Sequence, residues 1–433
     1  MNLIKQIIQW KLKILARLVL KKYRPKIVGI TGSVGKTSTK EAIYTVLSSK
    51  FRVWKNIKNY NNELGVPLSI LGAESGYKNP LAWLGVFFKA LGLLLIRSRK
   101  YPEILVLEMG ADKPGDIKYL TKLAPCHVGV ITAIGHVHEE FFGSLEKIIK
   151  EKQIIVAHLK KDDWAVLNAD DALVMETKNK IKSKILTFGF SEGAEVKAAE
   201  LAVSAGPSRD PWVDVQINGL SFKLFYKGSS IPVFLPSVLG EHQVYSALAA
   251  AAVGLALGMN GADISAALKN YKSPPGRMNL ISGIKHTSII DDTYNSSPMA
   301  ARAALNVLKK INVSGRKLVV FGDMLELGKF TESGHREVGE AVPGVADILV
   351  TVGVKAKFIA DEAEKRGLPK DKIRSFDNTY EAGKYIQEVL QQGDIILVKG
   401  SQGARMERVV KELMAEPQRA KELLTRQGEE WVR

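Results

Sequence analysis

Two stretches of this chain carry residues whose types and spacing suit phosphate chemistry. In Thr31-Gly-Ser-Val-Gly-Lys-Thr37 the glycines free backbone N–H groups, and the sequence passes from an apolar run, Ile27 to Ile30, into a helix-compatible run from Thr37 to about Ser49. A strand, a glycine-rich turn and a helix N-terminus in that order form an anion cradle. Lys36 is placed to reach β- and γ-phosphates, and the Thr37 hydroxyl to hold Mg²⁺. The first glycine of the usual G-x-x-x-x-G-K-[ST] pattern is Ile30 here, which leaves the shorter form T-G-x-x-G-K-T. Downstream, Leu105-Val-Leu-Glu-Met-Gly-Ala-Asp112 ends an apolar run on a carboxylate, Glu108. The carboxyl end of a parallel strand is where such sheets bind ligands, so Glu108 is placed to reach a metal on the phosphates. The next run ends in Ile131-Thr-Ala-Ile-Gly-His-Val-His138, which puts His136 and His138 on the same rim. Taken alone, the two histidines read as polar loop residues more readily than as ligands.

These residues need a sheet to hold them. From Lys26 to about Lys272, apolar runs at Ile27–Ile30, Ile104–Leu107, Val128–Ile131, Ala165–Leu167 and Ile185–Phe188 alternate with helical stretches. That pattern predicts an α/β domain with a mostly parallel sheet and helices on both faces. Short alternating segments between about Val196 and Leu235 predict antiparallel hairpins appended to it, and a small-residue helix, Val244 to Leu257, should be buried. Ser273-Pro-Pro-Gly276 reads as a rigid hinge. Beyond it, Ser288–Ile290, Leu318–Phe321, Ile348–Val352 and Ile395–Val398 alternate with helices, predicting a smaller, Rossmann-like doubly wound domain over 274–433. Its strand ends lack G-x-G-x-x-G, and the closing segment from Arg405 reads as a solvated outer helix.

Two segments do not fit this scheme. Residues 1–25 form a basic amphipathic helix, with Leu3, Ile4, Ile7, Trp10, Ile14, Leu15 and Leu18 on one face and Lys5, Gln9, Lys13 and Arg17 on the other, and no acidic residue occurs before Glu41. Such a helix lies on an anionic membrane or packs on the next domain, and the sequence leaves both open. An insertion at about 76–100 contains Leu81 to Ile96, almost wholly apolar, followed by Arg97, Arg99 and Lys100. It is too short for a comfortable span and carries Lys89, so it reads equally as an interfacial segment or a core helix. Together, residues 1–25 and 81–100 point to peripheral membrane contact.

Composition narrows the partners. A formal net charge of +17 over 433 residues favours anionic partners, and the absence of zinc-finger spacing or an aromatic RNA-binding signature argues against nucleic acid. A single cysteine, Cys126, rules out an intramolecular disulfide framework, suits a reducing, cytoplasmic setting and reads as a small buried side chain.

The motifs in order resemble the Mur ligase family of ATP-dependent amide-forming enzymes. The resemblance runs through Thr31–Thr37, Asn61-Asn-Glu-Leu-Gly-Val-Pro67, Glu108-Met-Gly-Ala111, His138 with Phe142-Gly-Ser144, Asn168-Ala-Asp-Asp171, Gly276-Arg277, Asp291-Asp-Thr-Tyr-Asn295, Gly322-Asp-Met-Leu-Glu-Leu-Gly328 and Lys399-Gly-Ser401. The last four blocks look most like the members that join D-alanyl-D-alanine to a UDP-muramoyl-tripeptide in peptidoglycan precursor synthesis. The resemblance implies ATP and Mg²⁺, with Gly32, Ser33, Val34, Gly35, Lys36, Thr37 and Ser38 around the phosphates and Arg277, Asp292 and Asn295 also on the nucleotide. It implies Thr37, Glu108, His138 and a carbamylated Lys152 around magnesium, catalytic parts for Lys36, Lys152 and His138, closure of the second domain about Pro274-Pro275, and a monomer working on small-molecule substrates.

Three departures qualify it. The family's amino-terminal UDP-binding domain is expected to be missing, since only residues 1–25 precede the first strand, and this leaves the carboxylate substrate open. Gln243, Ser246 and Ser297 stand where the family has asparagines, and the apolar insertion has no counterpart in the family pattern. Alternatives are a related ligase acting on a folate-type, polymer or lipid-linked acceptor, or a non-catalytic nucleotide-binding scaffold. A nucleotide switch is a further reading, which Asp112-Lys-Pro-Gly115 imitates, but Asn179-Lys-Ile-Lys182 lacks the aspartate that guanine recognition needs.

Overall fold

The computed structural model describes residues 3–57, 60–77, 79–135, 142, 144–207, 215–428 and 431. They cluster into two compact units, one of residues 1–201, 222–234 and 242–271, the other of 202–221, 235–241 and 272–433. A nine-stranded sheet has the order β2-β3-β1-β4-β5-β6-β7-β8-β9. Its strands are β1 (Lys26–Thr31), β2 (Val53–Lys55), β3 (Ile104–Glu108), β4 (Val128–Ile131), β5 (Trp164–Asn168), β6 (Lys184–Gly189), β7 (Val196–Pro207), β8 (Val215–Tyr226) and β9 (Ser229–Pro236). Pairing is parallel from β2 through β7. β8 and β9 are neighbours joined by Lys227 and Gly228, both at positive φ (46° and 78°), a two-residue hairpin turn. The sequence missed β2, which at three residues is too short to show a pattern.

In the first unit α1 (Leu3–Tyr23), α2 (Lys36–Ser48), α3 (Gly65–Leu71), α4 (Pro80–Leu95), α5 (Asp116–Leu123) and α6 (Leu145–Ala157) surround the sheet. β1 is buried from Ile27 on and β3 along its whole length, as a central parallel strand covered on both faces must be. The small-residue helix, Glu241–Ala256, is buried through Val244 and Ala247–Val253, as its composition requires. Cys126 is buried, and a Cβ on Gly29 would meet its Sγ at 2.4 Å. Burial pushes its thiol up to about 12, so it behaves as the small inert side chain expected of it.

α1 buries Leu12, Ala16 and Val19, while Ile7, Trp10, Ile14 and Leu18 are exposed. The face that the helical wheel gathers as apolar therefore points outward. Small and aliphatic positions on the other side, where Lys13 lies over the Tyr119 ring at 4.7 Å, make the packing surface instead. α4 behaves the same way: Val86 and Ala90 are buried, and Leu81, Leu84, Phe88, Leu91 and Leu95 are exposed. No helix among the described residues is long and apolar enough to cross a membrane.

The second unit contains a six-stranded sheet of order β10-β11-β15-β12-β13-β14, antiparallel between β10 (Asn279–Gly283) and β11 (Thr287–Asp292) and parallel elsewhere. The parallel strands are completed by β12 (Lys317–Gly322), β13 (Ile348–Val352), β14 (Ile373–Phe376) and β15 (Ile395–Lys399). Pro274 and Gly276 are tied into this unit: Asn279 Nδ2 donates to the Pro274 carbonyl at 2.8 Å, and the Gly276 N–H to Asp291 Oδ2 at 3.0 Å. The closing segment is not one solvated helix. It breaks into Glu407–Leu413, a turn at Pro417–Arg419 and Ala420–Leu423, with Val409, Val410, Leu413 and Met414 in the core. Glu407, fully buried, receives Arg405 at 2.6 Å and Arg426 at 3.3 Å, so the charges there are paired inside rather than solvated.

Candidate active site

The turn between β1 and α2 demands its glycines. Gly32 sits at φ 152°, and a Cβ there would come within 2.0 Å of Thr132 Oγ1; Gly35 sits at φ 81° immediately before α2. The loop is held from the β4 side. Thr132 Oγ1 donates to the Val34 carbonyl at 2.6 Å, the Ser33 N–H to the Ala133 carbonyl at 2.7 Å, and the Gly135 N–H to Ser33 Oγ at 3.0 Å. Behind that brace, Asn168 donates to the Thr132 carbonyl at 2.9 Å and Asp171 accepts from the Ile134 N–H at 2.8 Å. The Asn168–Asp171 motif thus fixes the loop against which the glycine turn is built.

Two lysines converge on this turn. Lys36 Nζ donates to the carbonyls of Gly32 at 2.8 Å and Ser33 at 3.2 Å, and Lys152 Nζ, from α6, donates to the same Gly32 carbonyl at 3.0 Å. Lys152 is only 4% exposed. Burial first, and then the Lys36 ammonium beside it, lower its amine to about 7. A substantial fraction of Lys152 is therefore neutral near pH 7, as an amine must be to add carbon dioxide. Two cations meeting at one carbonyl also suit an anionic ligand.

Glu108, at the end of β3, is 2% exposed. Asn61 Nδ2 donates to its Oε1 at 3.1 Å, and Asn56 Oδ1 accepts its backbone N–H at 2.6 Å. Its Oε2 takes no hydrogen bond from any described residue and faces Lys40 Nζ at 3.7 Å. A buried carboxylate oxygen without a hydrogen bond is costly, and a metal ion is one way to satisfy it. No group of three or more His, Cys, Asp or Glu side chains gathers among the described residues. The free oxygen of Glu108 fits magnesium, which is held by one or two protein oxygens together with substrate phosphates. His136 and His138 lie outside the described residues.

Lys40, Asn56 and Asn61 support Glu108, and of these only Asn61 falls in a motif legible in the sequence. Lys40 is 1% exposed, with Glu108 at 3.7 Å and Glu41 at 3.6 Å. Its spacing gives the only hint: it lies one helical turn after Lys36. Gln243 and Ser246 are buried against the first turn of α2. Tyr271 donates to Gln243 Oε1 at 2.8 Å and reaches the Ser38 carbonyl at 3.4 Å, and Thr39 Oγ1 lies 3.4 Å from Ser246 Oγ.

In the second unit the strand ends of β11 and β15 form another polar cluster. Lys399 Nζ pairs with Asp292 Oδ2 at 2.6 Å and donates to the Asn295 carbonyl at 2.9 Å. The Arg277 guanidinium stacks over the Tyr294 ring at 4.1 Å. Asp291 is fully buried; burial raises its carboxyl to about 6 against hydrogen bonds from Thr293 and the Gly276 N–H. Ser297 caps the helix Pro298–Lys310 by accepting from the Ala300 N–H at 3.3 Å. The structure thus groups Arg277, Asp292 and Asn295 around one strand edge, as it groups Lys36, Lys152 and the glycine turn in the first unit.

The Mur ligase middle domain matches residues 30–81 and 89–254, and the Mur ligase glutamate ligase domain matches residues 276–402. The chain belongs to the Mur ligase family. The middle-domain match breaks between 81 and 89, inside α4. Among relatives of this Mur ligase, the UDP-N-acetylmuramoyl-tripeptide--D-alanyl-D-alanine ligase of Bacillus subtilis is 32% identical over 93% of this chain and 79% of its own length. The enzyme of that name from Escherichia coli is 30% identical over 92% and 79%. A crystal structure of MurF from Acinetobacter baumannii matches at TM-score 0.75 and 29% identity, covering 93% of this chain and 79% of that one. MurF of Thermotoga maritima in complex with ADP matches at TM-score 0.72 and 30% identity, covering 93% and 83%. As a Mur ligase the protein is an ATP-dependent ligase forming C–N bonds.

Proposed function

We propose that this Mur ligase joins D-alanyl-D-alanine to the terminal carboxylate of a UDP-N-acetylmuramoyl-tripeptide, with ATP and Mg²⁺, in peptidoglycan precursor synthesis. The observation that carries the ATP chemistry is the meeting of Lys36 and Lys152 on the Gly32 carbonyl inside a glycine turn. The choice of substrates rests on the relatives' names. Both a nucleotide-linked acceptor and ATP place the reaction in the cytoplasm.

A carboxylate is a poor electrophile until one of its oxygens carries a good leaving group. The acceptor carboxylate oxygen forms a bond to the γ-phosphorus of ATP as the bond to the β,γ-bridging oxygen breaks, giving an acyl phosphate and ADP. The amine of D-alanyl-D-alanine then adds to the acyl carbon, loses a proton, and the tetrahedral intermediate expels inorganic phosphate to leave the amide. On this reading Lys36 and the N–H groups of residues 32–38 bind the triphosphate and offset charge on the transferring group. Thr37 and Glu108 hold Mg²⁺, and His138 and carbamylated Lys152 complete that set; the ion when bound supplies Lewis-acid stabilisation of phosphoryl oxygens. Lys40, 3.7 Å from Glu108 Oε2, helps to orient that carboxylate. Asp292, held by Lys399, together with Asn295 and Arg277, contacts the nucleotide.

The test is incubation with ATP, Mg²⁺, UDP-N-acetylmuramoyl-tripeptide and D-alanyl-D-alanine, with phosphate and product mass read together. Phosphate release that requires both substrates, accompanied by the pentapeptide mass, is expected. ATP binding without product from this pair overturns the substrate assignment in favour of another carboxylate.

A further inference from the structure

α1 and α4 are locked side by side and run in the same direction. Lys11 Nζ lies over the Phe87 ring at 5.8 Å, and farther along Lys22 Nζ donates to the carbonyls of Leu93 and Leu94 at 2.9 and 2.7 Å, capping the end of α4. Tyr23 Oη reaches the carbonyls of Leu93 and Ile96 at 3.1 Å and accepts the Ser98 N–H at 2.8 Å. The pair is a fixed part of the first unit, yet both helices turn large apolar side chains outward: Trp10 is 62% exposed, Phe88 70% and Leu95 82%. On α4 that face is apolar throughout. On α1 it is flanked by Lys11, Arg17 and Lys21, and the helix itself carries no carboxylate.

We propose that the outward face of α1 and α4 docks this protein onto an anionic lipid bilayer, lying in the interface plane rather than crossing it. An exposed apolar surface of this extent marks an interaction site, and the charge around it selects the partner. Arg24, Lys26, Arg52, Arg97 and Arg99 line an open pocket of about 750 Å³ at the carboxyl ends of both helices, with one carboxylate, Glu103, paired to Arg52 at 3.0 Å. That pocket lies at the starts of β1 and β3, the opposite sheet edge from the glycine turn, so it is not part of the phosphate cradle. Lipid phosphates complement a rim in which cations outnumber the single carboxylate. A second copy of the chain would instead set cationic rim against cationic rim. Length agrees: α4, at 16 residues, rises about 24 Å, short of the ~30 Å hydrocarbon core. Trp10 is the residue type that settles at the headgroup boundary.

Flotation with vesicles of phosphatidylcholine alone, and of phosphatidylcholine mixed equally with phosphatidylglycerol, tests this on the full chain. Binding is expected only to the mixed vesicles and to fall as salt is raised. F88E/L95E should lower the partition coefficient by about thirtyfold or more, and K11E/K21E by on the order of tenfold. All four positions are exposed, and unchanged thermal unfolding shows that the variants fold. Quenching by lipid brominated on its acyl chains supplies a readout that needs no charge-bearing variant: it should dim wild-type emission and be largely lost in W10F. No binding to the mixed vesicles, equal binding by F88E/L95E, or a concentration-dependent dimer abolished by F88E/L95E would overturn the proposal, the last assigning the face to a second copy.

Discussion

Lys152→Met separates what the buried amine does for stability from what it does for activity. In the unfolded chain this lysine titrates near 10.5; in the folded chain burial and Lys36 bring it to about 7. Between those values the folded chain binds fewer protons than the unfolded one, so its stability is full at high pH, falls as pH is lowered across that window and levels off below it. At 1.36 kcal/mol per pH unit the whole fall is roughly 5 kcal/mol. Methionine has similar length and no charge. It loses the hydrogen bond to the Gly32 carbonyl, about 1 kcal/mol, and removes the like-charge contact with Lys36. The net expectation at pH 7 in carbon-dioxide-free buffer is a variant more stable than wild type by roughly 2–4 kcal/mol. Urea unfolding from pH 7 to 10 should show a rising wild-type curve and a nearly flat variant curve, the two converging at the alkaline end. The same substitution should abolish bicarbonate-stimulated phosphate release. A variant no more stable than wild type at pH 7, with the wild-type slope retained, would refute both the buried-cation reasoning and the assignment of Lys152 as the titrating group.

Further outcomes follow from the same geometry. Lys36→Ala should lower kcat for phosphate release by on the order of 10²–10³ while leaving the fold intact, which unchanged thermal unfolding would show; the side chain donates to the carbonyls of Gly32 and Ser33 in its own loop. Glu108→Gln should raise the Mg²⁺ concentration for half-maximal activity by about tenfold or more, read by magnesium titration at saturating ATP. Asp291, whose carboxyl is raised to about 6 by burial, makes the fold most stable below the ordinary aspartate value and less so as pH climbs through 6. Asp291→Asn presents one acceptor oxygen where Thr293 and Gly276 need two, so thermal unfolding should show a loss of about 1–3 kcal/mol at pH 5.

The phosphate-handling end of the molecule was legible because its constraints are local. Gly32 and Gly35 stand where the backbone turns, Lys36 follows at once, and Glu108 ends an apolar run, so position along the strand already gave position at the rim. Lys40 was not legible: a lysine next to a glutamate on a helix ordinarily reads as solvated, and only the packing of α2 against β3 shows it to be buried. Asn56 follows a strand too short to be seen. β14 was missed for a related reason, since Arg374 and Ser375 on an edge strand break the apolar run that marks its neighbours. α1 shows a different limit. Periodicity divides a helix into faces but does not say which one meets the protein, and here Leu12, Ala16 and Val19 pack while the bulkier Trp10 and Ile14 do not. The closing segment illustrates the converse, because its mixed charges pair around a buried Glu407 instead of facing water.

Isotope transfer from the acceptor carboxylate examines the acyl-phosphate step itself. UDP-N-acetylmuramoyl-tripeptide carrying heavy oxygen in its terminal carboxylate is turned over with ATP, Mg²⁺ and D-alanyl-D-alanine, and the released phosphate and the pentapeptide are both weighed. An amide ligase acting through the acyl phosphate leaves one heavy oxygen in each phosphate released and one in the new amide carbonyl. Amide formed with unlabelled phosphate, or ATP hydrolysed without any pentapeptide, would contradict it.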